Sequence, residues 1–415
     1  MVLARPDHPI SRKLLDPDAL WILQKLRREG HLAYLVGGAV RDLLLGREPK
    51  DFDIGTDARP SEIRRLFRNS RLIGRRFRLA HVYFRRKGEV EKIVEVSTFR
   101  SLRKIDVPED IPPEDLDLTG TVFGTPDEDA WRRDFTVNAL FYNLDDFSII
   151  DHVGGLDDLS AGVLRLIGDP DDRFAEDPVR MLRAIEFAVR LGFRIEERTA
   201  DGIRRNAGLL ATASAARLRE ELRQMEQRGI VGPVLADAHR LGLLGTLLPE
   251  VVETEGVFPL LEALDERAAA GREPPEWAYI AALLLPTVAR RYPLTPGADL
   301  EQAQDTIAGP VDALTHRYQI SAHIRHQTRE ILLSCYRMAR GKAYRTKAKF
   351  VRKPEFQEAW AFVQIWAHVA RDLGEVVEFW TAYLGGTAAP GQARGAGRRR
   401  RPRRRRLASA PAQPS

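Results

Sequence analysis

The sequence predicts an α/β head, a mixed sheet carrying helices, followed by an all-α neck and body and a disordered basic C-terminal tail. Three observations predict it. Short apolar strand-like runs alternate with helical patches over the first 150 residues. Helical periodicity takes over from about residue 170 and runs nearly to the end. After Leu384 the composition shifts to Gly, Ala, Pro and Arg, with no apolar residues to form a core.

In the head the strand-like runs are Tyr34 to Val36, Phe52 to Ile54, Ala80 to Phe84 and Ile93 to Phe99, and the helical patches are Val40 to Leu45 and Ser61 to Phe67. Residues 101–120 carry Pro108, Pro112, Pro113 and many acids with little periodicity, which reads as an inserted loop. Asp177 can cap a helix with Pro178 at its first position, and Val179, Leu182, Ile185 and Val189 then recur at helical spacing. Amphipathic segments follow at Ala215 to Met225, Trp277 to Leu285 and Pro354 to Ala370. The expected division is a head over 1–150, a helical neck over 151–225, a helical body over 226–384 and a tail over 385–415.

At 415 residues the chain is too long for one ordinary core, and 44% hydrophobic residues suffice for several. Its one cysteine, Cys335, excludes a disulfide framework and a cysteine-based zinc site within one chain. Met1 to Lys13 has no apolar core of secretory length and no segment has the length of a membrane span, so a cytoplasmic protein with no membrane partner is expected. The net charge is +6, yet nine arginines lie in residues 385–415, where there is no acid, so residues 1–384 carry 6 − 9 = −3. The basicity is concentrated in the tail: Arg398, Arg399, Arg400, Arg401, Arg403, Arg404, Arg405 and Arg406, interrupted only by Pro402. Such a run binds phosphate whatever the base.

The densest chemistry is Leu35-Val36-Gly37-Gly38-Ala39-Val40-Arg41-Asp42, followed by Lys50-Asp51-Phe52-Asp53-Ile54. Gly37 and Gly38 permit a tight strand-to-helix turn whose N–H groups suit an anionic phosphate, to which Arg41 can add a charge-assisted bond. Asp51 and Asp53 are two apart on an expected strand, so both carboxylates share a face while Phe52 points into packing. Such hard oxygen ligands suit Mg²⁺, and two ions can activate an RNA 3′ hydroxyl and stabilise departing pyrophosphate. Phosphoryl transfer needs little beyond positioning and charge.

These segments resemble motif A of the class II tRNA nucleotidyltransferase and bacterial poly(A) polymerase superfamily. Arg132-Arg133-Asp134-Phe135-Thr136-Val137-Asn138-Ala139-Leu140 resembles its RRDFTxNA element, and Glu176-Asp177-Pro178-Val179-Arg180-Met181-Leu182-Arg183-Ala184 its EDxxRxxR element. The resemblance implies Asp51 and Asp53 as metal ligands, Asp134 as the third active-site carboxylate, and Gly38, Arg41 and Arg133 at the nucleotide. Glu95, in the strand Ile93 to Phe99, is the rival for the third position.

Asp177, Arg180 and Arg183 recur at three-residue steps, with Glu176 one helical turn from Arg180. A carboxylate beside a guanidinium complements the Watson–Crick edge of adenine and opposes those of guanine and uracil. Cytosine shares adenine's order, so the pair does not by itself separate ATP-only addition from CCA addition. Where relatives continue the arginine stripe this chain has Glu186, so that contact is either missing or supplied by Arg190. Leu72-Ile73-Gly74-Arg75-Arg76-Phe77-Arg78-Leu79-Ala80-His81-Val82 and His8-Pro9-Ile10-Ser11-Arg12-Lys13 resemble segments found in the bacterial poly(A) polymerases. The expected activity is template-independent addition of AMP, from ATP with Mg²⁺, to single-stranded RNA 3′ ends. The alternatives are a CCA-adding or A-adding tRNA enzyme and a non-catalytic RNA-binding protein.

Overall fold

The structure is a computed structural model and describes residues 1–74, 79–86, 89–104, 121–369 and 373–387. The expected loop, the centre of the Leu72 to Val82 segment and the arginine tail fall wholly or mainly outside the described residues. The head contains β1 (Val2–Leu3), α1 (Pro17–Arg28), β2 (Ala33–Val36), α2 (Gly38–Leu44), β3 (Asp53–Thr56), α3 (Pro60–Leu66), β4 (Ser70–Ile73), β5 (Leu79–Arg86), β6 (Glu89–Thr98), β7 (Arg100–Lys104), β8 (Thr121–Phe123), α4 (Pro126–Arg132), β9 (Leu140–Asn143) and β10 (Ile149–Asp151). Eight strands form one sheet in the order β1-β10-β9-β2-β3-β6-β5-β4, and β7 pairs with β8 separately.

The sheet is mixed: β3 and β6 run parallel, with Ile54 opposite Val96, while the other neighbours are antiparallel. Ile54, Ala80, Val82, Val94 and Val96 are buried on the face that receives α1, whose Ala19, Ile22, Leu23 and Leu26 recur at helical spacing. Asp16 caps α1, its Oδ1 accepting from the N–H groups of Asp18 and Ala19 at 3.0 Å, and Pro17 sets the first helical residue. The buried His8 bonds through Nε2 to the carbonyl of Phe147 at 2.7 Å, fastening the first ten residues to the β9–β10 edge.

Helices dominate thereafter: α5 (Gly155–Ala161), α6 (Pro170–Glu176), α7 (Val179–Leu191), α8 (Glu197–Asn206), α9 (Ala215–Arg228), α10 (Val231–Arg240), α11 (Leu244–Leu247), α12 (Val257–Ala269), α13 (Glu276–Arg291), α14 (Leu300–Arg317), α15 (Ala322–Ala339), α16 (Lys347–Phe350), α17 (Glu355–Val369) and α18 (Gly374–Thr387). One apolar cluster runs from Phe135 to Trp380. Neck and body therefore share a core, and α9 continues to Arg228 through the expected boundary at residue 225. Likewise α18 continues beyond Leu384 to Thr387.

The helix expected to start at Asp177 is α7, and a separate short helix, α6, ends just before that residue, so Glu176 and Arg180 lie on different helices. Pro178 disfavours the α region for the residue before it, and Asp177 is accordingly extended (φ −149°, ψ 94°) between α6 and α7. Its Oδ1 still accepts from the N–H of Val179 at 3.2 Å, so it caps α7 from outside. Among the described residues no helix is long and apolar enough to cross a membrane. Cys335 is fully buried, and burial pushes its thiol up to about 12.

Candidate active site

Asp53 opens β3, and the parallel register that sets Ile54 beside Val96 brings Glu95 of β6 alongside it. Their apolar neighbours Ile54 and Val96 face the core, so the alternation of the strands turns both carboxylates the other way, into a cleft of about 320 Å³. The remaining lining includes Val36, Ser97, Arg100, Asp129, Arg132, Arg133, Glu176 and Arg180. Burial, then the charge of Glu95, lifts the Asp53 carboxyl to about 6; Arg133 opposes the rise and Asp51 adds to it. Asp51 is exposed just before β3, with Phe52 between them buried under Lys92, 5.5 Å above its ring. Glu95 also meets Nε2 of His81, its cross-strand partner on β5, at 3.1 Å.

The glycine turn and the RRDFTVNA segment meet on the other wall. Gly37 has φ 73° and ψ −133°, a conformation open essentially to glycine, and a Cβ there would come within 3.1 Å of Nη1 of Arg133. Arg133 is held over that gap by Asp129 at 3.0 and 3.2 Å, with its guanidinium 5.4 Å above the ring of Phe141. Arg173 of α6 fixes the backbone here, donating to the carbonyls of Arg132 and Arg133 at 2.7 and 2.6 Å.

Asp134 does not line the cleft with Asp53. Its Oδ1 accepts from the N–H of Phe135 at 2.8 Å and from Nδ2 of Asn138 at 3.3 Å, and its Oδ2 takes Nε and Nη2 of Arg183. Burial raises the Asp134 carboxyl, but Arg183 and these hydrogen bonds outweigh it and leave the group below its ordinary value. Arg183 reaches on to Glu221 of α9 at 3.4 Å. In the other direction Oδ1 of Asn138 receives Arg41, which is 2% exposed, paired with Asp42 at 2.7 Å and set 5.5 Å over the ring of Phe187. Buried in this way, Arg41 braces the turn from beneath; it is not among the residues lining the cleft, where a phosphate contact was expected of it. The result is one relay, Asp42–Arg41–Asn138–Asp134–Arg183–Glu221, through every motif.

A second pocket of about 320 Å³ is lined by Arg133, Asp134, Asp177, Arg180, Arg183 and Arg217. Arg133 and Arg180 line both spaces, so the two adjoin. Both oxygens of Asp177 are met by Arg217 of α9, at 2.8 Å each, and although burial raises its carboxyl, Arg217 leaves it below the ordinary range. Arg180 donates to Glu176 at 2.6 Å and to the carbonyl of Arg173 at 2.9 Å. Glu186 and Arg190 lie outside both pockets: Glu186, 3% exposed, takes Arg190 at 2.9 Å and Arg228 at 3.0 Å. Sequence reasoning missed Asp129, Asn138, Arg173, Arg217 and Glu221; Asn138 lay inside the RRDFTVNA segment, and Arg217 and Glu221 inside the amphipathic run Ala215 to Met225, where they read only as a polar face.

Among the described residues no three of His, Cys, Asp and Glu stand together in a metal-binding arrangement. The oxygen-only donors Asp51 and Asp53 nevertheless suit Mg²⁺, since burial, and after it the charge of Glu95, holds the Asp53 carboxyl above its ordinary value, a cost that a divalent cation would relieve.

Family models for the poly A polymerase head domain, a probable RNA and SrmB-binding site of polymerase A, and the polymerase A arginine-rich C-terminus match residues 33–165, 192–254 and 297–408. The chain is 37% identical over 402 residues to poly(A) polymerase I of Escherichia coli O6:H1, covering 91% of this chain and 84% of that one. With the CCA-adding enzyme of Lactobacillus helveticus it shares 36% identity over 267 residues, 64% of this chain and 63% of that one. A solved tRNA-processing enzyme complex has the same fold at TM-score 0.63 and 23% identity, over 90% of this chain and 93% of that chain.

Proposed function

The chain belongs to the bacterial poly(A) polymerase family, and on that premise we propose that the paired clefts hold ATP and an RNA 3′ end and join AMP to the RNA. It is a nucleotidyltransferase with poly(A) polymerase activity. The observation that carries the finer reading is a carboxylate pair, Asp53 and Glu95, in a cleft whose wall also carries Arg100, Arg132, Arg133 and Arg180, the last two paired with Asp129 and Glu176. A triphosphate needs that cationic wall, and the acids supply the sites for its metal.

Asp51 and Asp53 would hold Mg²⁺, with Glu95 beside Asp53 in the cleft as the further carboxylate. Bound there, divalent ions would polarise the 3′ hydroxyl and offset charge on the leaving pyrophosphate. Arg133, fixed by Asp129 and admitted by Gly37, meets the triphosphate between the two spaces. Gly38 opens α2 at the same turn. Asp134 positions Arg183, and the adjoining pocket takes the base: Asp177 accepts from the exocyclic amine of adenine while Arg180 donates to the ring nitrogen. Arg398 to Arg406 would add affinity for the RNA backbone.

Incubation with labelled ATP, Mg²⁺ and an RNA primer tests this directly; the expected product is a homopolymeric A tail. Preferential incorporation of CTP into a tRNA lacking its CCA end would overturn it in favour of CCA addition. No incorporation of either nucleotide would leave a binding protein.

A further inference from the structure

Between Glu330 and Glu355 the chain has no acid and eight cations: Arg337, Arg340, Lys342, Arg345, Lys347, Lys349, Arg352 and Lys353. The structure folds the stretch from Arg340 to Lys353 into a tight corner, a 3₁₀ turn at Gly341–Ala343 and then α16, between the long helices α15 and α17. Aromatic packing holds its shape. Phe350 is buried 5.3 Å from Tyr344, 5.2 Å from Phe356 and 6.0 Å from Trp380, and Lys347 lies 5.6 Å over Phe379 of α18.

Elsewhere on the body several long cations are matched: Arg267 with Glu358, Arg317 with Glu250, Arg329 with Asp312. At the corner Lys353 reaches Glu330 at 3.7 Å, but four others do not find an acid. Lys342, Arg345, Lys349 and Arg352 are exposed and have no carboxylate partner among the described residues, while Lys347 satisfies itself on the carbonyls of Lys342 and Tyr344 at 2.8 and 2.7 Å. The Nε of Arg340 is buried without a hydrogen-bond partner among the described residues. Like charges gathered on a rigid support repel, and that repulsion is relieved when an anion binds.

We propose that the corner of Lys342, Arg345, Lys349 and Arg352 is a second RNA-backbone contact, gripping the acceptor strand away from its 3′ end without regard to sequence. It rests on the reading of RNA as acceptor. None of the four lines either cleft, so the contact is separate from the chemistry. A membrane surface fits poorly, because the large apolar side chains exposed among the described residues all lie elsewhere.

The test uses the full chain with Lys342→Gln, Arg345→Gln, Lys349→Gln and Arg352→Gln combined, read by anisotropy of a labelled oligoadenylate across a salt series without ATP. With about four phosphates no longer neutralised, the slope of log affinity on log salt should shrink by about 3, at about 0.7 per phosphate on single strands. The KM for RNA primer should rise while kcat at saturating primer and the KM for ATP stay put. A variant that exchanges Lys and Arg at the four positions should keep the wild-type slope. An unchanged slope and primer KM overturns the proposal, as does loss of affinity for polyglutamate but not for oligoadenylate. Because the binding measurement needs no catalysis, failure of the unaltered enzyme to add AMP would strike the functional reading instead.

Discussion

Arg183 donates two hydrogen bonds to a single oxygen of Asp134, from Nε at 3.2 Å and Nη2 at 2.8 Å. That geometry separates two kinds of acid in the site, one engaged by the protein and one left for a ligand. Asp134→Ala would leave a mostly buried guanidinium with Glu221 alone, costing about 3 kcal/mol or somewhat less. Its urea midpoint should fall together with activity. A variant of wild-type stability would show that the pair is not structural.

Asp53→Ala should behave oppositely. The carboxyl it removes is held above its ordinary value by burial and by Glu95, so its loss should leave the melting temperature unchanged or higher while AMP addition falls by about a hundredfold or more. Glu95→Gln should follow the same pattern. Turnover close to wild type in either variant would take that residue out of the reaction.

Asp177→Ala should relax the choice of nucleotide more than it slows ATP, because stacking and triphosphate contacts remain. By comparison with base readout in protein–DNA complexes, the discrimination given up is about 1–3 kcal/mol. Arg217→Ala should do part of the same by freeing the carboxylate it grips at 2.8 Å. Competition among the four nucleotides measures this; equal slowing of all four would make Asp177 structural.

Glu226 of α9 is a candidate for pH-dependent stability. Burial, then the charge of Glu276, pushes its carboxyl up to about 8, against Arg223 and Arg219. The raised value means that the fold favours the protonated form. This contribution is therefore full below the unfolded value near 4.5 and is lost as pH rises toward about 8. Glu226→Gln should flatten that decline and be the more stable protein at pH 8, as thermal melts across the range would reveal. Parallel curves for the two proteins would exclude Glu226 as the source.

Removal of residues 388–415 leaves α18 whole, since that helix ends at Thr387. Nine arginines would go, and if about four contact phosphate at once the salt slope for single-stranded RNA should shrink by about 3. Activity on saturating primer should hold. Abolished activity with an unchanged slope would give the tail a different task.

What the sequence revealed of the site follows from distance along the chain. Asp51 and Asp53 came forward because a period of two on a strand places side chains on one face, but β3 begins only at Asp53 and Asp51 stands exposed before it, while Glu95 was a visible rival because it lies on an evident strand. For Arg41 the local pattern, one turn past two glycines, reads as a phosphate ligand, and nothing local shows Asn138 and Phe187 closing over it from 97 and 146 residues away. Pro178 correctly marked the start of α7, but the same proline also disfavours helix for Asp177, and that separates α6, with Glu176, from the helix that carries Arg180. In the fold, the strand and helix periods marked β2, β3, β5 and β6 and six of the helices. They did not show that neck and body bury one continuous core, since a helix pattern says which face is apolar and not what covers it.

The relay from Asp42 to Glu221 alternates sign and donor role at each step, with the neutral amide of Asn138 turned so that its oxygen meets Arg41 and its nitrogen meets Asp134. Arg41 and Arg183 each donate to both neighbours, and Asp134 accepts from both. Reversing any one member sets donor against donor or acceptor against acceptor on both sides, and a single substitution strands a partner in a place water hardly reaches. Effects of paired changes along it should therefore depart from additivity, each change tolerable only in the company of another. For divergence, the head and the neck are then not independent parcels: what α2 can become is conditioned by what α9 already is.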